Sequence, residues 1–266
     1  MNKFLKEVEE QPEALKETLR FYTEGEGKDR LDRVICLFKS GRYEKIIFTG
    51  MGSSYFISYA ATCLLNDQNI KSFAINSGEL LHYQFSLIDQ SILLVCISQS
   101  GESYEIVKIL EKLSPEVTVV AICNEPESTL VKRANESLLS KAGKEEMTST
   151  KTYISTYLVT YLLALALGDR FNEASISEIN TTIHAVSDLL KKRDQWLDGA
   201  VKTVAHAPFV QLVGRGPVFA SVQQSALMLM EATRNPASAL LGGEFRHVGY
   251  RRFYPEPVNQ RRSDCR

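Results

Sequence analysis

The chain reads as an α/β protein, a three-layer αβα sandwich around a five-stranded parallel sheet. Three observations predict this. Five short apolar runs, at 44–49, 71–76, 91–97, 117–122 and 136–140, alternate with amphipathic segments. The runs are rich in Ile, Val and Leu with little polar alternation, as expected of strands buried on both faces. Two of them pass directly into a glycine- or serine-rich turn that opens a helix.

Taken in order, the N-terminal 43 residues predict two helices. Leu5, Val8, Leu15, Leu19 and Phe21 recur at helical spacing over 3–22, and Leu31, Val34, Ile35 and Phe38 do so over 28–41. Between the strands, helices are expected at 54–66, 77–85, 103–113 and 127–133. A long helix then follows Thr148-Ser-Thr-Lys151, ends at Gly168-Asp169, and gives way to another at about 175–194. These segments form the first domain, residues 44–195.

Around 207–213 a new strand leads into Gly214-Arg-Gly216-Pro217 and a helix from Phe219 to Arg234. This repeats the strand, glycine turn and helix of 46–66, so residues 196–247 read as an incomplete second α/β unit. Arg215 reads as a turn residue, and Gly242 to His247 as a glycine-flanked loop. The last nineteen residues, 248–266, hold five arginines and two prolines without periodicity. They read as an irregular, disordered tail rather than a nucleic-acid arm.

Charge and composition narrow the function. Lys+Arg number 31 against Asp+Glu 32, so no global field draws the protein to nucleic acid or an anionic membrane. The longest apolar run, Tyr157 to Leu167, is well short of the ~20 residues of a membrane helix. The N-terminus lacks a signal-peptide pattern, which points to the cytoplasm. Five cysteines (Cys36, Cys63, Cys96, Cys123 and Cys265) have no CxxC spacing, and all but Cys265 sit in apolar patterns. They read as mostly buried, reduced thiols.

The most informative stretch is Ser98-Gln99-Ser100-Gly101-Glu102-Ser103, directly after the run ending at Ile97. Helix-start N–H groups, the helix dipole and three hydroxyls make an uncharged phosphate cradle. Capping alone needs one hydroxyl, not three. Gly50-Met-Gly-Ser-Ser54 is the matching turn upstream. No Gly-Lys-Ser/Thr follows either, which disfavours a nucleoside triphosphate. No His/Cys/Asp cluster has metal spacing, and no metal or organic cofactor is expected. Lys151 opens a helix where a cation is poorly placed for the dipole, so an anion-facing or intersubunit role is one reading of it.

These pieces resemble the sugar isomerase (SIS) family, whose fold is flavodoxin-like. They are most similar to the two-SIS-domain branch that holds the isomerase half of glucosamine-6-phosphate synthase and the fructosamine-6-phosphate deglycases. The matching segments, in family order, are Gly50–Ser54, Ser98–Ser103, Ile122–Asn124, Ser149–Lys151, Ala226–Glu231 and Gly243–His247. The resemblance implies that Ser98, Gln99, Ser100 and Ser103 hold a phosphate, while Ser54 and Ser149 hold the sugar. It implies that Glu231 moves a proton between C1 and C2 and that His247 opens the ring. A carboxylate suits that step if partial burial lifts its pKa. The resemblance also implies a homodimer with sites near the subunit interface.

Three departures from the family pattern matter. Met228 stands where the synthases carry a lysine, which removes a Schiff base there. The chain begins Met-Asn and has no glutaminase segment. Val248-Gly249 replaces a glycine-proline, and the family's C-terminal lysine is missing. The resemblance therefore implies an isomerase, deglycase or deaminase acting on a 6-phosphorylated ketose amine or amino sugar. The alternatives are a non-catalytic sugar-phosphate sensor, an inactive truncated homologue, or a tail created by a reading-frame shift.

Overall fold

The computed structural model describes the backbone of residues 2–253 and the side chains of residues 2–247. It divides into two compact units, one ending at His206 and one beginning at Ala207.

The first unit is built on five strands: β1 (Lys45–Gly50), β2 (Ser72–Asn76), β3 (Ile92–Ser98), β4 (Thr118–Cys123) and β5 (Glu136–Leu139). All pair in parallel, in the order β2-β1-β3-β4-β5. Each begins and ends within two residues of the sequence expectation. Side chains alternate between two cores because successive residues of a strand point to opposite faces. Ile46, Phe48, Leu93, Val95, Ile97, Val120 and Ile122 face one core. It is covered by α2 (Gln11–Glu24), α3 (Glu26–Lys39), α4 (Ser53–Asp67), α8 (Lys151–Leu167) and α9 (Glu173–Lys191). Ile47, Ile92, Leu94, Cys96, Val119 and Ala121 face the other, under α5 (Ser77–His82), α6 (Tyr104–Lys112) and α7 (Thr129–Arg133). Two apolar faces explain why the strands carry no polar alternation, and they make the three layers.

Four local differences from the expected pattern have physical causes. The helix expected over 3–22 is two, α1 (Lys3–Glu9) and α2, because Pro12 is tolerated only in a helix's first turn. The helix expected over 77–85 stops at His82, and a single 3₁₀ turn covers Phe85–Leu87. Asn172 and Ser175 form a reciprocal capping box that starts α9 two residues early, and a further helix, α10 (Arg193–Val204), follows it. Cys36 is exposed, contrary to the expectation of burial, whereas Cys96 and Cys123 are buried. Cys36 lies on α3, an amphipathic helix with one face in the core.

The second unit holds β6 (Val210–Gly214), α11 (Val218–Thr233), β7 (Ala237–Leu241) and α12 (Gly242–Phe253). The two strands pair in parallel. β7 was not expected, because Ala-Ser-Ala-Leu-Leu lacks the β-branched and aromatic residues that mark strands. Arg215 Nη2 donates to the Gly242 carbonyl at 3.3 Å, so this turn residue joins the ends of β6 and β7. Residues 248–266, expected to be irregular, lie outside the described residues save for the backbone that extends α12 to Phe253. Among the described residues, no helix is long and apolar enough to cross a membrane.

Candidate functional site

The strand order places a crevice by simple topology. The connection after β1 runs to β2 on one side, and the next crosses back over β1 to β3. In open parallel sheets ligands bind beyond the carboxyl ends of the strands where the order reverses. Here that point lies between β1 and β3. Both hydroxyl-bearing turns leave those two strand ends.

The turn after β3 is tightly built. Ser98, 2% exposed, ends the strand, and its Oγ accepts a hydrogen bond from the Gly101 N–H at 3.1 Å. The same oxygen lies 2.9 Å from Ser103 Oγ. Ser100 Oγ accepts from the Glu102 N–H at 3.2 Å. Ser103 occupies the cap position of α6 but makes no side-chain bond to the helix. Its hydroxyl is turned across the loop, which leaves first-turn N–H groups uncapped by it, as anion binding at a helix start requires. Ser100, Gln99 and Ser103 are half-buried.

Neighbouring residues hold this loop from beneath. Gly101 has φ of +66°, and a methyl group on it would lie 2.2 Å from Ser128 Oγ, so only glycine fits. The Leu130 N–H donates to the Gly101 carbonyl at 3.1 Å, and the Thr129 N–H donates to Glu102 Oε1 at 2.6 Å. That bond holds the Glu102 carboxyl below the usual carboxylate range. The Asn124 N–H donates to the Gln99 carbonyl at 3.1 Å. Sequence reasoning assigned no role to Ser128, Thr129 or Leu130, and it noted Asn124 only as part of the matching segment Ile122–Asn124.

Ser54 belongs to the same corner. It is the second residue of α4, just after Gly52 with φ of +49°. A methyl on Gly50 would lie 2.6 Å from Ser54 Cβ and 2.9 Å from the Ile97 carbonyl oxygen. The Ser54 turn and the end of β3 therefore meet at one glycine. Next along the sheet, Asn76 Oδ1 accepts from the Gly78 N–H at 2.9 Å and caps α5.

Ser149 comes from the loop between β5 and α8. Its Oγ lies 3.0 Å from Thr152 Oγ1. Glu145 caps α8 from within the loop: Oε1 accepts from the Thr150 N–H at 2.8 Å and Thr150 Oγ1 at 2.9 Å, and Oε2 accepts from Thr152 Oγ1. Asn124 secures the loop's start, accepting from Ser140 Oγ and the Ala142 N–H, both at 3.0 Å. Lys151, only 7% exposed, pairs with Glu10 at 2.6 Å. Its charge is thus answered inside the chain by a carboxylate.

Glu231 and His247 lie in the second unit, on α11 and α12. Both are exposed in the single chain, so the partial burial expected of Glu231 is not seen there. His247 is in the second turn of a helix rather than in the expected loop, since Gly242 and Gly243 end β7 and start α12 directly. Met228 is on α11, one turn before Glu231. Among the described residues no group of three or more His, Cys, Asp or Glu side chains could hold a metal ion.

Residues 42–166 match the SIS domain family, a span that contains the whole five-stranded sheet and both hydroxyl turns. The chain therefore carries a SIS domain, with homology to the isomerase domain of glucosamine–fructose-6-phosphate aminotransferase. It is 32% identical over 250 residues to the isomerizing glutamine–fructose-6-phosphate aminotransferase of Pyrococcus horikoshii, covering 91% of this chain and 40% of that relative. The C-terminal domain of glucosamine-fructose-6-phosphate aminotransferase from Francisella tularensis superposes with a TM-score of 0.77 at 25% identity. That match covers 92% of this chain and 71% of the other. Tagatose-6-phosphate ketose/aldose isomerase from Escherichia coli shares the fold, with a TM-score of 0.75 at 19% identity over 92% of this chain and 68% of that one. The chain spans 40–42% of the length of the curated relatives it matches.

Proposed function

We propose that this chain binds a 6-phosphorylated ketose amine or amino sugar and moves a proton between C1 and C2, as an isomerase, deglycase or deaminase. The observation that carries this is the Ser98–Ser103 loop at the β1/β3 crevice. There Ser103 holds the cap position without capping, so hydroxyls and helix-start N–H groups remain for an uncharged phosphate cradle. Relatives named for fructose-6-phosphate and tagatose-6-phosphate chemistry support the ligand class. In this reading Ser98, Gln99, Ser100 and Ser103 bind the phosphate, and Ser54 and Ser149 bind the sugar hydroxyls.

Glu231 is the proposed base, worth about 10²–10⁴-fold in rate, and His247 assists ring opening. Proton transfer next to a carbonyl needs only a placed carboxylate, so the reading invokes no metal or organic cofactor. Because Glu231 is exposed in the single chain, bound sugar and a second copy of the chain supply its burial. We place the protein in the cytoplasm as a homodimer.

The test is incubation with fructose 6-phosphate, glucosamine 6-phosphate and fructosamine 6-phosphates in deuterated water, with C1 and C2 hydrogens followed by NMR. Exchange or turnover in wild type, lost in Glu231→Gln, supports the reading. No exchange by wild type, or unchanged exchange in the variant, overturns it. The exposure of Glu231 favours one alternative, a non-catalytic sugar-phosphate sensor. Thermal stabilisation by these ligands without exchange would establish that one.

A further inference from the structure

The loop that carries Ser149 is gripped from outside by the first turns of the chain. At the junction of α1 and α2, Glu10 Oε2 accepts from Lys151 Nζ at 2.6 Å. One turn earlier, Glu7, 6% exposed, accepts from the Glu146 N–H at 2.7 Å through Oε1. Lys3 also contacts the Glu146 carboxylate. The contacts fall on residues 146 and 151, either side of Ser149.

The chemistry makes the grip more than incidental. Lys151 is the first residue of α8, where the dipole disfavours a cation. It is also almost wholly buried, and a buried ammonium without a partner is strongly destabilising. Glu10 therefore determines whether Lys151 can sit where it does, and with it the start of α8 that Ser149 precedes. From within, Glu145 holds Thr150 and Thr152, and Ser149 Oγ lies 3.0 Å from Thr152 Oγ1, so the inner and outer holds meet at the same helix start.

We propose that the Glu10–Lys151 ion pair, with Glu7 beside it, positions Ser149 for the sugar end of the ligand. In this way the α1–α2 corner sets the preference for a sugar phosphate over bare phosphate. The proposal rests on the phosphosugar reading above. Glu10, Glu7 and Lys151 are positioning residues: they act through Ser149, while the Ser98–Ser103 loop holds the phosphate without them.

Calorimetric titration of the full chain with fructose 6-phosphate and with inorganic phosphate separates the two parts. Wild type binds fructose 6-phosphate more tightly than phosphate. In Glu10→Gln and in Lys151→Met, phosphate affinity stays within about twofold, while fructose 6-phosphate weakens about three- to tenfold, the worth of one well-placed hydrogen bond. Lys151→Arg, which can still pair with Glu10, keeps the wild-type preference. Equal weakening of both ligands, an unchanged ratio, or a wild type that binds both alike overturns the proposal. A wild type that binds neither overturns the phosphosugar reading itself, which is a distinct result. Should the ion-pair variants not fold, Glu7→Gln leaves the pair intact and carries the same comparison.

Discussion

Ser98 Oγ and Ser103 Oγ stand 2.9 Å apart, tying the last residue of a central strand to the cap residue of the next helix. The intervening loop is closed by a hydroxyl pair rather than by charge. An uncharged closure leaves the loop free to meet a phosphate dianion without first giving up a salt bridge.

The two serines on either side of Gln99 should therefore behave differently. Ser98→Ala removes the acceptor for the buried Gly101 N–H, which costs about 1–3 kcal/mol of stability. Ser100→Ala removes a half-exposed acceptor and should leave stability nearly unchanged while weakening phosphate binding. Urea denaturation alongside phosphate titration checks both. Equal stability losses would refute the distinction.

Gly101 and Gly143 offer a matched pair. Both have positive φ, +66° and +72°, but a methyl on Gly101 meets Ser128 Oγ whereas one on Gly143 meets nothing within 4 Å. Each alanine substitution bears the backbone penalty of about 1–2 kcal/mol. Gly101→Ala should lose clearly more, because the floor of the loop must also shift. Comparable urea midpoints for the two variants would show that the crowding is relieved at no cost.

The Glu10–Lys151 bond gives a pH dependence of known sign. The hydrogen bond from Lys151 holds the Glu10 carboxyl below its ordinary value of 4.5. A lowered folded-state pKa contributes stability that is fully present above the ordinary value and is lost as pH falls through the folded one. Wild type should be more stable than Glu10→Gln at neutral pH, and the gap should narrow as pH drops below about 4.5. Melting temperatures of both proteins from pH 7 to pH 3 measure it. A gap that persists at low pH would assign the effect to packing.

Thiol reactivity should follow burial. Burial pushes the Cys96 thiol up to about 12, and burial likewise raises Cys123. Cys36 is exposed. Iodoacetamide at neutral pH, followed by peptide mass mapping, should modify Cys36 well before Cys96 or Cys123, because the thiolate is the reactive form. In urea the difference should disappear. Rapid native modification of Cys96 would mean that the sheet core opens readily.

Much of the site was legible in residue order alone. Ser98 to Ser103 and Gly50 to Ser54 carry turn chemistry directly after apolar strands, and each strand's own side chains call for the two-faced burial that parallel sheets have. The supports were not legible, because Ser128, Glu145 and Glu10 act on residues they do not adjoin in a way that local spacing records. Glu10 and Lys151 are 141 residues apart.

The sheet, its two cores and the hydroxyl turns follow from residue order, because strand periodicity and turn geometry are local properties of consecutive residues. That Ser103 turns its hydroxyl to Ser98 instead of to its own helix, that Glu10 answers the buried charge of Lys151, and that Glu231 is exposed in the single chain emerge once the chain is folded. Hydrogen-bond partners and burial depend on which distant segments arrive at the same place, and that is settled by packing.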